Sequence, residues 1–113
     1  MTEAPAGASL VQRLTAQIDS PRDGALLRYS LASALASAGK PAAAVERCRE
    51  ALRFDPRYSA AWKLLGRSLA EVGDSSGAMQ AYRDGIAAAA ARGDRQAEKE
   101  MRVFLQRLQK AAD

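Results

Sequence analysis

Lys63 and Arg67 stand four residues apart, the spacing that puts two side chains on one face of a helix. Two cations so placed can grip a carboxylate or an acidic peptide, with Arg67 capable of a bidentate contact. Glu46 and Glu50 share that spacing, as do Glu98 with Arg102 and Arg95 with Lys99. Paired carboxylates do acid–base work only in a concave pocket that shifts their pKa values. Opposite charges at this spacing are ordinary surface pairs. Cys48 is the one cysteine, and there is no histidine. A structural zinc site, a Ser-His-Asp triad, a Cys-His pair and an internal disulfide are therefore all excluded. A redox thiol needs exposure and a low pKa, whereas Cys48 falls on an apolar helical stripe and is expected to be a small buried hydrophobe. No catalytic residue, cofactor or metal is expected.

The elements that position these residues must be helices. The 113 residues suffice for one domain and include 26 alanines, with 48% hydrophobic, 27% charged and only 5% aromatic residues. The net charge is +4, from 17 basic and 13 acidic residues. Both signs are interspersed, and a dedicated nucleic-acid binder would show a denser basic stripe. Arg47, Arg49, Arg53 and Arg57 are the residues that would carry weak, salt-sensitive nucleic-acid binding. The N-terminus lacks a basic segment followed by a long apolar one, so no signal peptide is read there. The small-apolar run from Ile86 to Ala91 is too short to span a membrane. A single thiol fits a reducing compartment, and a cytoplasmic setting is expected.

Self-comparison at a shift of 34 lays residues 25–58 over 59–92. Six positions are then identical: Leu31/Leu65, Leu35/Leu69, Ala36/Ala70, Gly39/Gly73, Ala44/Ala78 and Arg49/Arg83. Near-matches fill the same grid: Ala32/Gly66, Val45/Met79, Cys48/Tyr82, Ala51/Gly85 and Leu52/Ile86. Trp62-Lys63-Leu64-Leu65-Gly66-Arg67-Ser68-Leu69 fits the pattern W-x2-L-G-x2-Y, with Leu69 in the tyrosine slot. Ala78 and Tyr82 then supply A-x3-F. On these residues the chain resembles the tetratricopeptide repeat (TPR) family. Arg28 stands where the first copy would carry the tryptophan, and Ala90 where the second would carry its closing proline.

The expected architecture is all-α, a right-handed superhelical stack of antiparallel helix pairs with about six helices. Residues 8–19 form an N-terminal capping helix with the stripe Leu10, Val11, Leu14 and Ile18. Residues 25–58 and 59–92 are the two repeats, and 94–110 a C-terminal capping helix. Ser20-Pro21-Arg22-Asp23 reads as a helix start, with Ser20 as cap and Pro21 in the first helical position. Gly39 ends that helix, Pro41 opens the next, and Asp55-Pro56 turns the chain into the second repeat. Helix 59–72 buries Trp62, Leu65, Leu69 and Val72. Asp74 or Ser75 caps the helix after it, and the alanine run carries that helix past its usual stop to Gly93. Asp94 caps the last helix, with Met101, Phe104, Leu105 and Leu108 on its apolar side. Residues 1–7 and 111–113 are expected to fray.

The resemblance implies a protein-interaction module of the bacterial cytoplasm whose first helices line a concave groove. Its peptide-facing residues would be Tyr29, Ser30, Ser33 and Ser37 from the first repeat and Lys63, Leu64, Arg67 and Glu71 from the second. Lys99, Arg102, Val103 and Gln106 would extend the surface on the last helix. The partner would be a protein or peptide, acidic if Lys63 and Arg67 meet it. The carboxylate clamp of chaperone-binding relatives is not matched, because Tyr29, Ser33 and Leu64 fill its Lys and Asn slots. The expected state is a monomer or weak homodimer, and the competing reading is self-assembly into a dimer through the end helices, with Val103 and Phe104 at the contact.

Overall fold

Three glycines set the hairpins of this chain. Gly39, Gly73 and Gly93 have φ of 76°, 88° and 76°, a left-handed conformation that costs glycine least. After each of them the next amide bonds back five residues: Lys40 to the Leu35 carbonyl, Asp74 to that of Leu69, and Asp94 to that of Ala89. This closure satisfies the last carbonyls of one helix and reverses the chain into the next. The computed structural model describes residues 6–112. Six helices lie among them: α1 (Ala6–Thr15), α2 (Ala25–Ser37), α3 (Pro41–Phe54), α4 (Ser59–Glu71), α5 (Ser75–Arg92) and α6 (Arg95–Ala112). Each packs mainly on its chain neighbour, while α2 also touches α4 and α4 touches α6. The result is a stack of antiparallel helices, an α-solenoid.

The starts follow their local sequence with one exception. Pro41 opens α3 at its first position. Asp74 caps α5 by accepting from the Gly77 amide at 2.9 Å, and Asp94 caps α6 by accepting from Ala97 at 3.2 Å. The exception is α2, which starts at Ala25 rather than Pro21, with Gly24 as an extended N-cap and no side-chain cap. Ser20 accepts from the Arg22 amide instead, and Asp23 from the amides of Asp19 and Gly24. Residues 19–24 thus form their own hydrogen-bonded turn. Arg28 anchors that turn by donating to the Asp23 carboxylate through Nε at 2.9 Å and Nη2 at 2.7 Å. The third guanidinium nitrogen reaches Glu50 on α3 at 2.8 Å. The residue in the tryptophan slot therefore joins the α1–α2 turn to the second helix by charge rather than by an apolar ring.

Helix α1 stops at Thr15, short of the expected residue 19, yet Val11, Leu14 and Ile18 still pack on Leu31, Leu35 and Ala44. Helix α6 runs through Ala111 and Ala112, which were expected to fray; residues 1–5 and 113 lie outside the described residues. Helix α5 has 18 residues against 14 in α3, as the alanine run requires. Its extra turn is tied down, since Arg57 donates to the Ala91 carbonyl and Arg92 to that of Arg57. Trp62 ties down the turn between α3 and α4 by donating its indole N–H to the Pro56 carbonyl at 2.8 Å, and its ring is half-buried. Val72 is exposed at 45% rather than buried, because it is the C-cap residue where Gly73 turns the chain away.

Small residues hold the crossings. Ala32, Ala44, Ala51 and Ala78 are fully buried. A Cβ on Gly66 would strike the Tyr82 ring, and one on Gly85 would lie 2.5 Å from the Met101 sulfur and 2.6 Å from the Trp62 Cβ. Helix axes this close tolerate no added bulk. Ala78→Leu is expected to cost about 1–3 kcal/mol by overpacking, read as a lower urea midpoint with the slope unchanged. A second outcome concerns the turn. Arg28 holds the Asp23 carboxyl well below the usual carboxylate range. A depressed folded-state pKa adds stability above the ordinary carboxylate pKa and loses it as pH falls through the folded value. Melting temperature should therefore fall more between pH 7 and pH 3 in wild type than in Asp23→Asn.

Candidate functional site

The first helices of the pairs, α2 and α4, lie side by side, and α6 follows α4. A cleft of about 190 Å³ opens between them. Tyr29, Ser33, Ala36 and Ser37 line it from α2, Ala60, Lys63, Leu64 and Arg67 from α4, and Glu100 and Phe104 from α6. Its floor is the apolar seam under Leu64, which is buried and serves the core as well as the cleft. Two of its lining side chains are aromatic, Tyr29 and Phe104. Tyr29 meets Tyr58 edge-on with ring centroids 5.2 Å apart, and Phe104 leans on Tyr82 at 5.7 Å. Burial pushes the Tyr58 and Tyr82 hydroxyls above the ordinary tyrosine pKa, so both stay protonated near neutrality.

The charges of the cleft are arranged along its length. Lys63 donates to Glu100 across the α4–α6 gap at 2.8 Å. Gln96, one turn before Glu100, donates to the same carboxylate at 2.9 Å. These two hydrogen bonds, Lys63 first, hold the Glu100 carboxyl below its usual pKa. Arg67 sits one turn along α4 from Lys63, with its side chain 66% exposed, and meets Glu71 only at 3.8 Å.

Of the sequence-expected groove residues, the fold brings Tyr29, Ser33, Ser37, Lys63, Leu64 and Arg67 together. Ser30 and Glu71 do not line the cleft. Lys99 and Arg102 line an open crevice with Ala90, Gly93 and Arg95, while Val103 and Gln106 lie beside Arg107 and Lys110 on another surface. The reason is the rotation of α6. Ala97 and Met101 are the positions it buries. A step of two residues turns a helix by about 200°, so Lys99 and Val103 point away from the side Met101 presents to the stack. Glu100 and Phe104 occupy the edge toward α4. Phe104, on the apolar side of α6 as expected, packs against Tyr82 and lines the cleft, where the competing self-assembly reading had it at an end contact. Ala36, Ala60 and Glu100 went unrecognised; the phase of Ala97, Met101 and Leu108 was the signal that could have placed Glu100.

Elsewhere the chemistry is quiet. Cys48 is fully buried, and burial pushes its thiol up to about 12. Arg47 and Arg49 pair with Glu50 and Glu46 on their own helix, and Arg57 is engaged with Ala91. Among the described residues no helix is long and apolar enough to cross a membrane.

A stack of paired helices closed by glycine hairpins, with a cleft along its first helices, is a helical-repeat solenoid. The tetratricopeptide repeat model matches residues 25–68. The TPR repeat-containing protein PA0015 of Pseudomonas aeruginosa is 48% identical over 89 residues, which cover 79% of this chain and 85% of that protein. The chain belongs to the tetratricopeptide repeat family. The solution structure of protein BPP2914 from Bordetella parapertussis is similar with a TM-score of 0.80 and 43% identity, over 97% of this chain and 91% of that one. The TPR domain of Sgt2 from Aspergillus fumigatus shares the fold with a TM-score of 0.62 at 20% identity, over 99% and 87% of the two chains. TPR proteins are in general protein-interaction modules rather than catalysts.

The buried thiol gives a direct check. Native protein is expected to leave Cys48 unmodified by a disulfide reagent at pH 8 over minutes. Unfolding in guanidinium should release one reactive thiol per chain.

Proposed function

We propose that this protein is a non-catalytic interaction module that holds a peptide or partner segment in the cleft between α2, α4 and α6. The observation that carries the proposal is the convergence of Tyr29, Ser33, Ser37, Lys63 and Arg67 from two separate repeats on one cleft. Residues 25–58 and 59–92 act as the two repeats that supply these walls. The segments 8–19 and 94–110 act as caps over the apolar ends. The occupant is a protein or peptide with acidic character. Arg67 is the most exposed cation of the cleft and is loosely paired, so it offers a carboxylate two parallel hydrogen bonds. Tyr29 adds a rigid amphipathic surface beside it. The protein acts in the cytoplasm of a bacterium; bacterial relatives and a single unbridged thiol support that setting.

Self-assembly through the end helices loses one of its two contact residues, because Phe104 packs in the cleft beside Tyr82. Val103, 41% exposed, remains as an isolated apolar residue, and isolated ones are ordinary on protein surfaces.

A pull-down from bacterial lysate with quantitative mass spectrometry tests the cleft. The variant is Lys63→Gln with Arg67→Gln; glutamate at 63 would instead repel Glu100 and disturb α6. Arg83→Gln, on the exposed side of α5, serves as the control. A partner retained by wild type and by the control, and lost from the double variant with its helical circular dichroism intact, is the expected result. Identical profiles for all three baits would move the interaction off this cleft.

A further inference from the structure

The Lys63–Glu100 bridge does more than hold α6 in place. It is the one ion pair among the described residues that links α4 to α6, and it lies in the wall of the cleft. Its partners are about one-third exposed, at 35% and 34%, so water and solutes reach it. The Glu100 carboxylate already lies where a ligand carboxylate would bond Lys63. We propose that Glu100 is a built-in competitor, and that an acidic peptide enters the cleft by displacing it from Lys63. This rests on the cleft being the binding surface.

The geometry favours exchange. Glu100 receives one cation, Lys63, and the neutral amide of Gln96. An incoming carboxylate between Lys63 and Arg67 meets two cations one helical turn apart, and Arg67 has only a 3.8 Å contact with Glu71 to give up. Glu100 loses little on release, since Gln96 stays beside it on α6 and solvent reaches its carboxylate. The competitor therefore sets a threshold. Neutral and basic segments leave the bridge closed, and only a segment that supplies its own carboxylate opens Lys63.

The probes are three pools of random decapeptides that differ only in a fixed central Glu, Gln or Lys. Retention is measured on wild type, Glu100→Gln and Lys63→Gln. Glu100→Gln is expected to bind the Glu pool more tightly than wild type, on the order of two- to fivefold, the range of one exposed ion pair. The Gln pool should gain nothing, and Lys63→Gln should lose the preference for Glu. A readout that mere loss of stability would not move is the titration of Glu100 itself. Followed by carboxyl NMR in wild type, it should rise toward the ordinary glutamate range when the Glu pool saturates the protein. Retention of peptides without a gain in Glu100→Gln, or with Glu100 titrating unchanged, would overturn the competitor and leave the cleft standing as a binding surface. Retention of no pool by any of the three proteins would overturn both.

Discussion

Tyr82 lies against the bare backbone of Gly66, and Met101 against that of Gly85, at distances no side chain on either glycine would permit. These approaches, with the fully buried Ala44, Ala51 and Ala78, set how near the helix axes come. Close axes leave room for few large groups, so a chain with few aromatics still fills its interior: Tyr82, the half-buried Trp62 and the leucines occupy the wedges around the crossings. The same spacing sets the other side of the stack. Because α2 and α4 are held near each other, Tyr29 and Lys63 face a shared cleft rather than separate solvent-facing grooves.

Much of this was legible because the repeat writes it twice. A period of 34 fixes where each glycine hairpin must fall, and Gly39 and Gly73 stand 34 apart with the same backbone hydrogen bonds. Five apolar positions of α3, from Ala44 to Leu52, are all buried as the stripe demands. The first misreading falls outside the repeat, where no second copy corrects it. Ser20-Pro21 has the composition of a helix start, but the chain makes a hydrogen-bonded turn there, with Ser20 accepting from Arg22 and Asp23 held by Arg28. Helix caps are short-range signals. Val72 failed for a related reason, since its place on the apolar stripe says nothing about the chain leaving the helix there.

The cleft was half legible, and the division follows the repeats. Residues of α2 and α4 sit in repeat slots, so their facing could be carried over from one copy to the other. Helix α6 offers no such template. Its offset is 39 rather than 34, and among the described residues no helix packs beyond it to set its rotation from the far side. What sets it is the burial of Ala97 and Met101 on one face, with Phe104, Leu105 and Leu108 packing beside them. Once Met101 is seated over Gly85, Lys99 and Val103 are carried outward and Glu100 and Phe104 inward, whatever a repeat slot would assign them.

That rotation decides the chemistry of the cleft. Had α6 presented Lys99 to α4, the cleft would hold Lys63, Arg67 and Lys99 together, three cations with no carboxylate between them. Repulsion among them would loosen α6 and leave a site open to any anion. The helix as it sits brings Glu100 instead. Its carboxylate draws α6 toward α4 through Lys63 and leaves Arg67 as the cation most available to a ligand. The apolar seat of Met101, chosen by packing, thereby selects which charge faces the cleft.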